Sequence, residues 1–266
     1  MKVGFLQFAP HLGNADATRK HVEHLLGEVP EVDLLVLPEL ANSGYNFHST
    51  AQARDLSEEV DASPFVDVIR GHCAKHARHV VTGFCEREGS ELFNAALLIG
   101  PKGVEGKYRK LHLFLNEKDH FRPGNLGLPV FDVGDYRVGM LICFDWIFPE
   151  TWRVLALRGA DIICHPSNLV LPGLAQQAAP VHALMNRVYI VTANRIGTEG
   201  DLTFTGRSTI ASPRCQVMAT APDDEEDTQV VEIDLSLARE KAVTLRNDVF
   251  TDRRPEEYRI LTDPNS

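Results

Sequence analysis

Three reactive side chains each follow an apolar or strand-like run of the chain, at the point where the run gives way to a loop. Glu39 follows the apolar run 33–37, Lys110 closes the segment 107–110, and Cys143 follows the run 136–142. The end of a strand holds a side chain rigidly and leaves it open to a cleft, which is where α/β folds place ligands. These three residues are therefore candidates for one site.

A cysteine, a glutamate and a lysine together can attack an amide-like carbon. Cys143 precedes a strand-to-helix turn, where helix-end amides favour a thiolate nucleophile. Glu39 lies among apolar neighbours, where desolvation suits a general base, and Lys110 can supply fixed positive charge to an oxyanion. Taken alone, Cys143 also suits a core position, and Glu39 and Lys110 each suit a solvated surface.

Two other groups of residues compete with this reading. His72, His76 and His79 have a helical spacing that could converge on a metal, but His79 falls past the predicted helix end and no carboxylate accompanies them. We therefore predict a solvated helix face and no metal. Cys164 and His165 are adjacent on a predicted strand, so their side chains point to opposite faces and cannot act as a pair.

The elements that position these residues alternate between strands and helices. Buried strands are predicted before Glu39 and Cys143, an amphipathic helix after Ser63-Pro64, and a helix from about Pro149. The segment 111–129 has no hydrophobic period and is predicted to be a long functional loop. Strand pairs in the middle and near the end favour helices that cover mixed sheets.

Composition narrows the class of protein. The 266 residues carry 27 Lys and Arg against 37 Asp and Glu, and the net charge of −10 argues against a nucleic-acid partner. Nowhere does an apolar run approach the roughly 18 residues of a membrane span. Five cysteines at irregular spacing fit neither a disulfide framework nor a zinc site, so we expect reduced thiols and a cytoplasmic location.

The segments around the three reactive residues together resemble the nitrilase superfamily of carbon-nitrogen hydrolases. The match covers about the whole chain, and three motifs in the same order are far more specific than any one of them. The matching segments are Leu37-Pro38-Glu39-Leu40, Tyr108-Arg109-Lys110-Leu111-His112-Leu113-Phe114, and Cys143-Phe144-Asp145 through Phe148-Pro149-Glu150, with weaker agreement at Asn94, 165–168, 194–195 and 206–208.

The resemblance implies a fold and a set of roles. The fold is one α/β domain over 1–266, a four-layer αββα sandwich with two mixed β-sheets and a C-terminal tail from about 247. Cys143 would be the nucleophile that forms a thioester, Glu39 the base, and Lys110 the group that stabilises the tetrahedral intermediate. The backbone N–H of Phe144 would complete the oxyanion site, and Glu117 would orient the lysine and the deacylating water.

Departures from the family pattern bear on the substrate. Relatives that hydrolyse N-carbamoyl amino acids resemble one another in carrying arginines where this chain has Trp146 and Ile147, and neither of these can pair with a carboxylate. A neutral or partly apolar substrate is favoured, and we predict that Tyr45, Trp146, Ser167 and Asn168 bind it.

Several functions remain open on the sequence. We predict hydrolysis of a small carboxamide with release of ammonia and with no cofactor. An amide is favoured over a nitrile because nitrilases tend to carry a Trp-Glu pair where this chain has Phe144-Asp145. An aliphatic nitrilase is the alternative, and a non-catalytic interaction module on the same fold is a hypothesis of another class. The resemblance also implies a homodimer or a higher homo-oligomer, with Trp152 and Leu155 available for an apolar contact.

Overall fold

The computed structural model describes residues 1–263, so the last three residues of the predicted domain lie outside the described part. Its strands are β1 (Lys2–Gln7), β2 (Leu34–Val36), β3 (His79–Glu88), β4 (Glu91–Gly100), β5 (Gly103–Arg109), β6 (Val130–Val133), β7 (Tyr136–Met140), β8 (Ile162–Pro166), β9 (Tyr189–Ala193), β10 (Thr198–Glu199), β11 (Leu202–Thr203), β12 (Thr209–Ala211), β13 (Val217–Thr220), β14 (Asp227–Glu232), β15 (Ala242–Thr244) and β16 (Asn247–Asp248). Its α-helices are α1 (Ala15–Glu28), α2 (Thr50–Leu56), α3 (Pro64–His76), α4 (Glu117–His120), α5 (Pro149–Leu157), α6 (Leu174–Asn186) and α7 (Ser236–Arg239), and 3₁₀ segments cover Val60–Ala62, Cys143–Ile147 and Pro255–Thr262.

Two mixed six-stranded sheets form the centre of the molecule, as predicted. One has the order β14-β1-β2-β3-β4-β5 and the other β13-β12-β9-β8-β7-β6. In each sheet three parallel strands, β1-β2-β3 or β7-β8-β9, are flanked by antiparallel ones. Because parallel strands end at the same edge of a sheet, the segments after β2, β7 and β8 are placed where a site can form.

The layers follow from which face of each element is apolar. Val36 and Val81 of the first sheet pack against Met140 and Val191 of the second in a shared core. Helices α1 and α3 cover the outer face of the first sheet, and α5 and α6 cover the outer face of the second. The predicted αββα sandwich is confirmed.

Helix α3 begins and ends where local chemistry dictates. The Ser63 hydroxyl accepts the N–H of Val66 at 3.0 Å, and Pro64 occupies the first helical position. The helix ends at Ala77, whose φ of 51° is left-handed, so His79 falls on β3 as predicted.

The predicted loop was wrong in one respect. The segment 111–129 is not wholly irregular, since it contains the short helix α4. Strand β12 is confined to Thr209–Ala211, because Thr205 and Gly206 just before it bond to the side chain of Asn194.

Helix α5 turns its largest apolar residues inward, which corrects the predicted partner contact. Trp152 and Leu155 are fully buried in the core under α5 and α6. Trp152 stacks on His182 with ring centroids 5.0 Å apart, and its indole N–H donates to the carbonyl oxygen of Trp146 at 3.0 Å. Neither side chain is available to a second subunit.

All five cysteines are free thiols, and only Cys215 is exposed. Within residues 1–263, none of the helices is both long and apolar enough to cross a membrane. The cytoplasmic location stays a prediction.

Candidate active site

Glu39 is held against strand β3 by main-chain hydrogen bonds. The N–H of Gly83 donates to the carbonyl of Pro38 at 3.0 Å, and the N–H of Ala41 donates to the carbonyl of Gly83 at 3.2 Å. A β-carbon at Gly83 would lie 2.3 Å from the α-carbon of Glu39, so only glycine permits this approach. The Glu39 side chain is fully buried at the carboxyl end of β2.

Lys110 brings both candidate carboxylates together. Its Nζ donates to Oε1 of Glu39 at 2.7 Å and to Oε1 of Glu117 at 2.7 Å. The backbone of Lys110 is fixed by a hydrogen bond that its N–H donates to the carbonyl of Asn94 at 2.8 Å. All three charged side chains are buried, and in such surroundings a charge is stable only when it is paired.

Each glutamate keeps one carboxylate oxygen uncommitted. Oε1 of Glu39 accepts from Lys110 and also from the side-chain amide of Asn94 at 2.6 Å, and Oε1 of Glu117 accepts from Lys110 and from the Tyr45 hydroxyl at 2.8 Å. Oε2 of each glutamate is buried and has no hydrogen-bond partner within residues 1–263. Two acceptors are therefore left for a thiol proton, a substrate or a water molecule.

Cys143 occupies a strained turn at the end of the second sheet. Its φ of 41° is left-handed, which is rare for any residue with a β-carbon, and strained nucleophiles at such elbows are common in hydrolases. The turn is anchored by buried Asp145, whose Oδ2 accepts the N–H of Ile142 at 3.0 Å and the Tyr108 hydroxyl at 2.7 Å. Asp145 also accepts both the backbone N–H and the ring nitrogen of His112.

Strand β8 supports the same turn from the other side. His165 Nε2 donates to the carbonyl of Cys143 at 2.9 Å, and its Nδ1 lies 3.1 Å from the Thr192 hydroxyl. Burial lowers the pKa of His165 to about 4, so the ring is a neutral structural donor. The backbone N–H of Asn168 lowers the pKa of the Cys143 thiol, which opposes the effect of burial.

The electrostatics of the cluster favour a protonated thiol at rest. Burial and the nearby Glu39 raise the pKa of Cys143 well above its ordinary value, and Lys110 offsets this only in part. Desolvation and the carboxylates thus outweigh the helix-end amides, which by themselves favour a thiolate. Cys143 must lose its proton as it attacks, which gives a neighbouring base a defined task.

The other charged groups are tuned in opposite directions. Burial opposes the charge of Lys110, but Glu117 and Glu39 outweigh it and raise the pKa of the ammonium. Burial raises the pKa of Glu117 to about 7, against the opposing effect of Lys110.

A small cleft opens beside Cys143. The cleft is open to solvent and is lined by Phe114, Phe144, Trp146, Asn168 and 169–171 together with the cysteine. The predicted substrate residues Trp146 and Asn168 thus lie on its wall, whereas Ile147 is largely exposed.

Two predicted substrate residues have other contacts. The Tyr45 hydroxyl is committed to Glu117, and the buried Ser167 hydroxyl donates to the carbonyl of His165 at 3.1 Å. Neither belongs to the cleft wall, so the structure favours positioning roles for both.

The competing groups of residues do not form sites. His72 and His76 contact each other with ring centroids 4.6 Å apart, and Nε2 of His79 lies 3.3 Å from Glu105. Within the described part of the chain, no three His, Cys, Asp or Glu side chains lie close enough together to hold a metal ion. Cys164 lies in the apolar core between the sheets.

Sequence comparison identifies the family. The profile of the carbon-nitrogen hydrolase family matches residues 2–242. The chain is a carbon-nitrogen hydrolase of the nitrilase superfamily. A nitrilase from Pyrococcus abyssi is 44% identical to this hydrolase over 97% of this chain and 99% of that protein.

Solved structures agree with this assignment. The carbon-nitrogen hydrolase from Helicobacter pylori superposes with a TM-score of 0.87 at 26% identity, covering 99% of each chain. A double variant of an amidase from Nesterenkonia in complex with acrylamide superposes with a TM-score of 0.83 at 25% identity, covering 98% of this hydrolase and 97% of that chain.

Several site contacts of this hydrolase escaped sequence reasoning. Asn94, which binds Glu39, was noted only as weak family agreement, although a polar residue inside the apolar run 92–99 was a usable signal. Asp145 was read as part of a motif and not as the anchor of the elbow. The contact of His165 with Cys143 had no local signal, because it spans 22 residues between two strand ends.

Proposed function

We propose that this hydrolase cleaves the C–N bond of a small neutral carboxamide through a thioester on Cys143 and releases ammonia. The observation that carries the proposal is that the two oxygens of each carboxylate have different surroundings. Glu39 and Glu117 each give one oxygen to Lys110 and keep the other uncommitted beside a protonated thiol.

Acylation uses the free oxygen of Glu39. As the Cys143 sulfur bonds to the amide carbon, its proton passes to Oε2 of Glu39 and the carbonyl oxygen becomes an oxyanion. Lys110 and the backbone N–H of Phe144 stabilise that charge. When the C–N bond breaks, Glu39 returns the proton to the departing nitrogen, which leaves as ammonia.

Deacylation repeats the sequence with water. Glu39 takes a proton from a water molecule that attacks the thioester carbon, while the free oxygen of Glu117 orients that water. Collapse of the second tetrahedral intermediate breaks the C–S bond, releases the acid and returns the proton to the thiol. No step requires a metal or a cofactor.

The cleft favours a short uncharged acyl group. Its wall is made of aromatic and aliphatic side chains apart from Asn168 and the cysteine, and none of its lining side chains is ionised at neutral pH. An anionic or cationic acyl group would be desolvated there without a partner.

Ammonia release from a panel of aliphatic amides tests the proposal. We expect turnover of short neutral amides, with at least tenfold lower kcat/KM for amides of matched length that carry a carboxylate. Absence of ammonia from every amide would contradict the proposal.

Nitrile hydrolysis is the second candidate, because the Pyrococcus abyssi relative is named a nitrilase. Attack of Cys143 on a nitrile carbon gives a thioimidate, which water converts to the same thioester. Propionamide and propionitrile distinguish the two activities. We expect higher kcat/KM for the amide, and the reverse order would assign the chain as a nitrilase.

We also propose that two copies associate through the surface of α5 and α6. With Trp152 and Leu155 buried, the exposed apolar residues of this surface are different ones. They are Leu157, Val181, Leu184 and Met185 on the helices, and Val243 and Leu261 from the C-terminal segment. Leu157, Met185, Val243 and Leu261 line one groove between the helices and the C-terminal segment, and an exposed apolar surface is typical of an interface.

Light scattering tests the association. We expect a particle of at least twice the 29.6 kDa chain mass, which Met185→Glu reduces to one chain. Val104→Glu, at a half-exposed residue on the edge strand β5, is the matched control and should leave the mass unchanged. A wild-type monomer with full activity would remove this proposal.

A further inference from the structure

The side chain of Asn168 lacks protein partners although it is buried. The residue is 1% exposed, and neither its amide nitrogen nor its amide oxygen has a hydrogen-bond partner within residues 1–263. More than nine in ten buried polar groups in proteins are hydrogen-bonded. An exception on the wall of an active-site cleft indicates a group that is reserved for a ligand.

The backbone around Asn168 is fixed, so the amide is presented from a rigid position. The preceding N–H, of Ser167, donates to the carbonyl of Ala193 at 2.8 Å, and the following N–H, of Leu169, donates to the side-chain oxygen of Asn194 at 2.8 Å. A rigid polar group can discriminate between ligands because it cannot move to find another partner.

The reacting amide already has partners of its own. In the proposed reaction its oxygen is bound by Lys110 and Phe144, and its nitrogen takes a proton from Glu39. Of the side chains in the cleft wall, the Asn168 amide offers both a strong donor and a strong acceptor, whereas the Trp146 indole can only donate. The Asn168 amide is therefore available to a second polar group on the same substrate.

We infer that Asn168 is a specificity-determining residue, which selects amides whose acyl chain carries a second, uncharged hydrogen-bonding group. A carboxamide combines a donor NH₂ group with an acceptor oxygen, so its best complement is another carboxamide, followed by a hydroxyl. A carboxylate complements only half of it and finds no cation in this wall. This inference rests on the proposed function and names its substrate class more closely.

A matched pair of substrates tests the inference. Succinamide and 4-methylpentanamide have nearly the same shape, but the first ends in a carboxamide and the second in an isopropyl group. For wild-type enzyme we expect kcat/KM at least about tenfold higher for succinamide, since an unpaired buried amide disfavours the apolar analogue. In Asn168→Leu we expect this ratio to fall at least about tenfold.

Control variants separate selection from a general defect. Leu171→Ala alters an apolar part of the same cleft and should change both rates in the same direction, leaving the ratio within about threefold. If thermal unfolding shows that the leucine variant is not folded, Asn168→Ser provides a second, smaller substitution. A wild-type preference for 4-methylpentanamide, or an unchanged ratio in both Asn168 variants, would overturn the inference.

Binding to Cys143→Ala keeps the inference separate from the proposed reaction. Calorimetry on this variant should give tighter binding of succinamide than of 4-methylpentanamide, and adding Asn168→Leu should abolish the difference. If wild-type enzyme hydrolyses neither amide but the binding difference is found, the proposed reaction fails and the role of Asn168 stands. If amides are hydrolysed and no binding difference is found, the inference fails alone.

Discussion

Lys110 and Glu39 form an ion pair in which neither side chain is exposed, with Nζ 2.7 Å from Oε1. The pair fixes the orientation of Glu39 and leaves its second oxygen uncommitted. Removing one member of a buried pair typically costs about 3–5 kcal/mol, because the other charge loses its partner. A substitution that keeps the shape and the hydrogen bond therefore tests the chemistry better than a truncation.

Glu39→Gln is the first prediction. The amide oxygen of the glutamine can still accept a hydrogen bond from Lys110, and Lys110 retains its ion pair with Glu117. The glutamine side chain, however, cannot take up the thiol proton. We expect kcat to fall by about 10²–10⁴ with a much smaller change in KM. Steady-state kinetics measure this, and Glu31→Gln at an exposed ion pair is the matched control. Full activity in Glu39→Gln would show that a residue other than Glu39 is the general base.

The pH profile gives the second prediction. The pKa of Glu117 is raised to about 7 by burial, so its carboxylate is ionised above that pH and protonated below it. The ionised form accepts from Lys110 and Tyr45, and we expect kcat/KM to fall up to tenfold per pH unit below about pH 7. Tyr45→Phe removes a hydrogen bond that favours ionisation of Glu117. The acid limb of its pH profile, which is the fall in kcat/KM on the acid side, should therefore move to higher pH.

The direction of that shift is the decisive readout. A purely structural loss in Tyr45→Phe would lower the rate at every pH and leave the limb in place. A limb that moves to lower pH, or a wild-type profile that is flat from pH 5.5 to about 8, would contradict the assignment to Glu117.

Gly83→Ala is the third prediction. The added β-carbon would overlap the main chain at Glu39, so that segment must shift. A displacement of about 1 Å at a catalytic group can cost about 10² in rate, and we expect a loss of that size together with a lower melting temperature. Gly71→Ala is the control, because it meets no atom within 4 Å in helix α3 and should stabilise the protein slightly.

Asp145→Asn is the fourth prediction. The carboxylate accepts from four donors on three residues, and an amide nitrogen would face at least one of them. We expect a destabilisation of at least about 1.5 kcal/mol and a loss of activity, since the strained turn at Cys143 loses its anchor. Denaturant unfolding measures this against Asp132→Asn, which alters an exposed ion pair. Equal free energies of unfolding in both variants would show that Asp145 does not anchor the turn at Cys143.

The reactive residues were predictable because each follows an element with a clear local signal. Apolar runs ended by Pro38 or by the polar turn after Ile142 place Glu39 and Cys143 at strand ends, and the structure brings them to one site. Glu117 was found through its motif position alone, since the short helix that carries it has no hydrophobic period.

Other features depend on tertiary contacts that local patterns do not encode. Trp152 and Leu155 were predicted on the surface of α5, but the packing of α5 against α6 decides which face of the helix is buried. The electrostatics of Cys143 are a second example, since they are set by complete burial and by Glu39, which is about a hundred residues away in sequence.

The central claim is that Cys143 carries the acyl group, and intact-mass spectrometry of the acid-quenched enzyme tests it most directly. During turnover of a slow amide, we predict an acyl adduct that peptide mapping places on Cys143, formed with one equivalent of ammonia per chain. The adduct should be absent from Cys143→Ala and retained in Cys215→Ala, which removes the exposed thiol. An adduct on Cys164 or Cys215, or turnover by Cys143→Ala, would contradict the account.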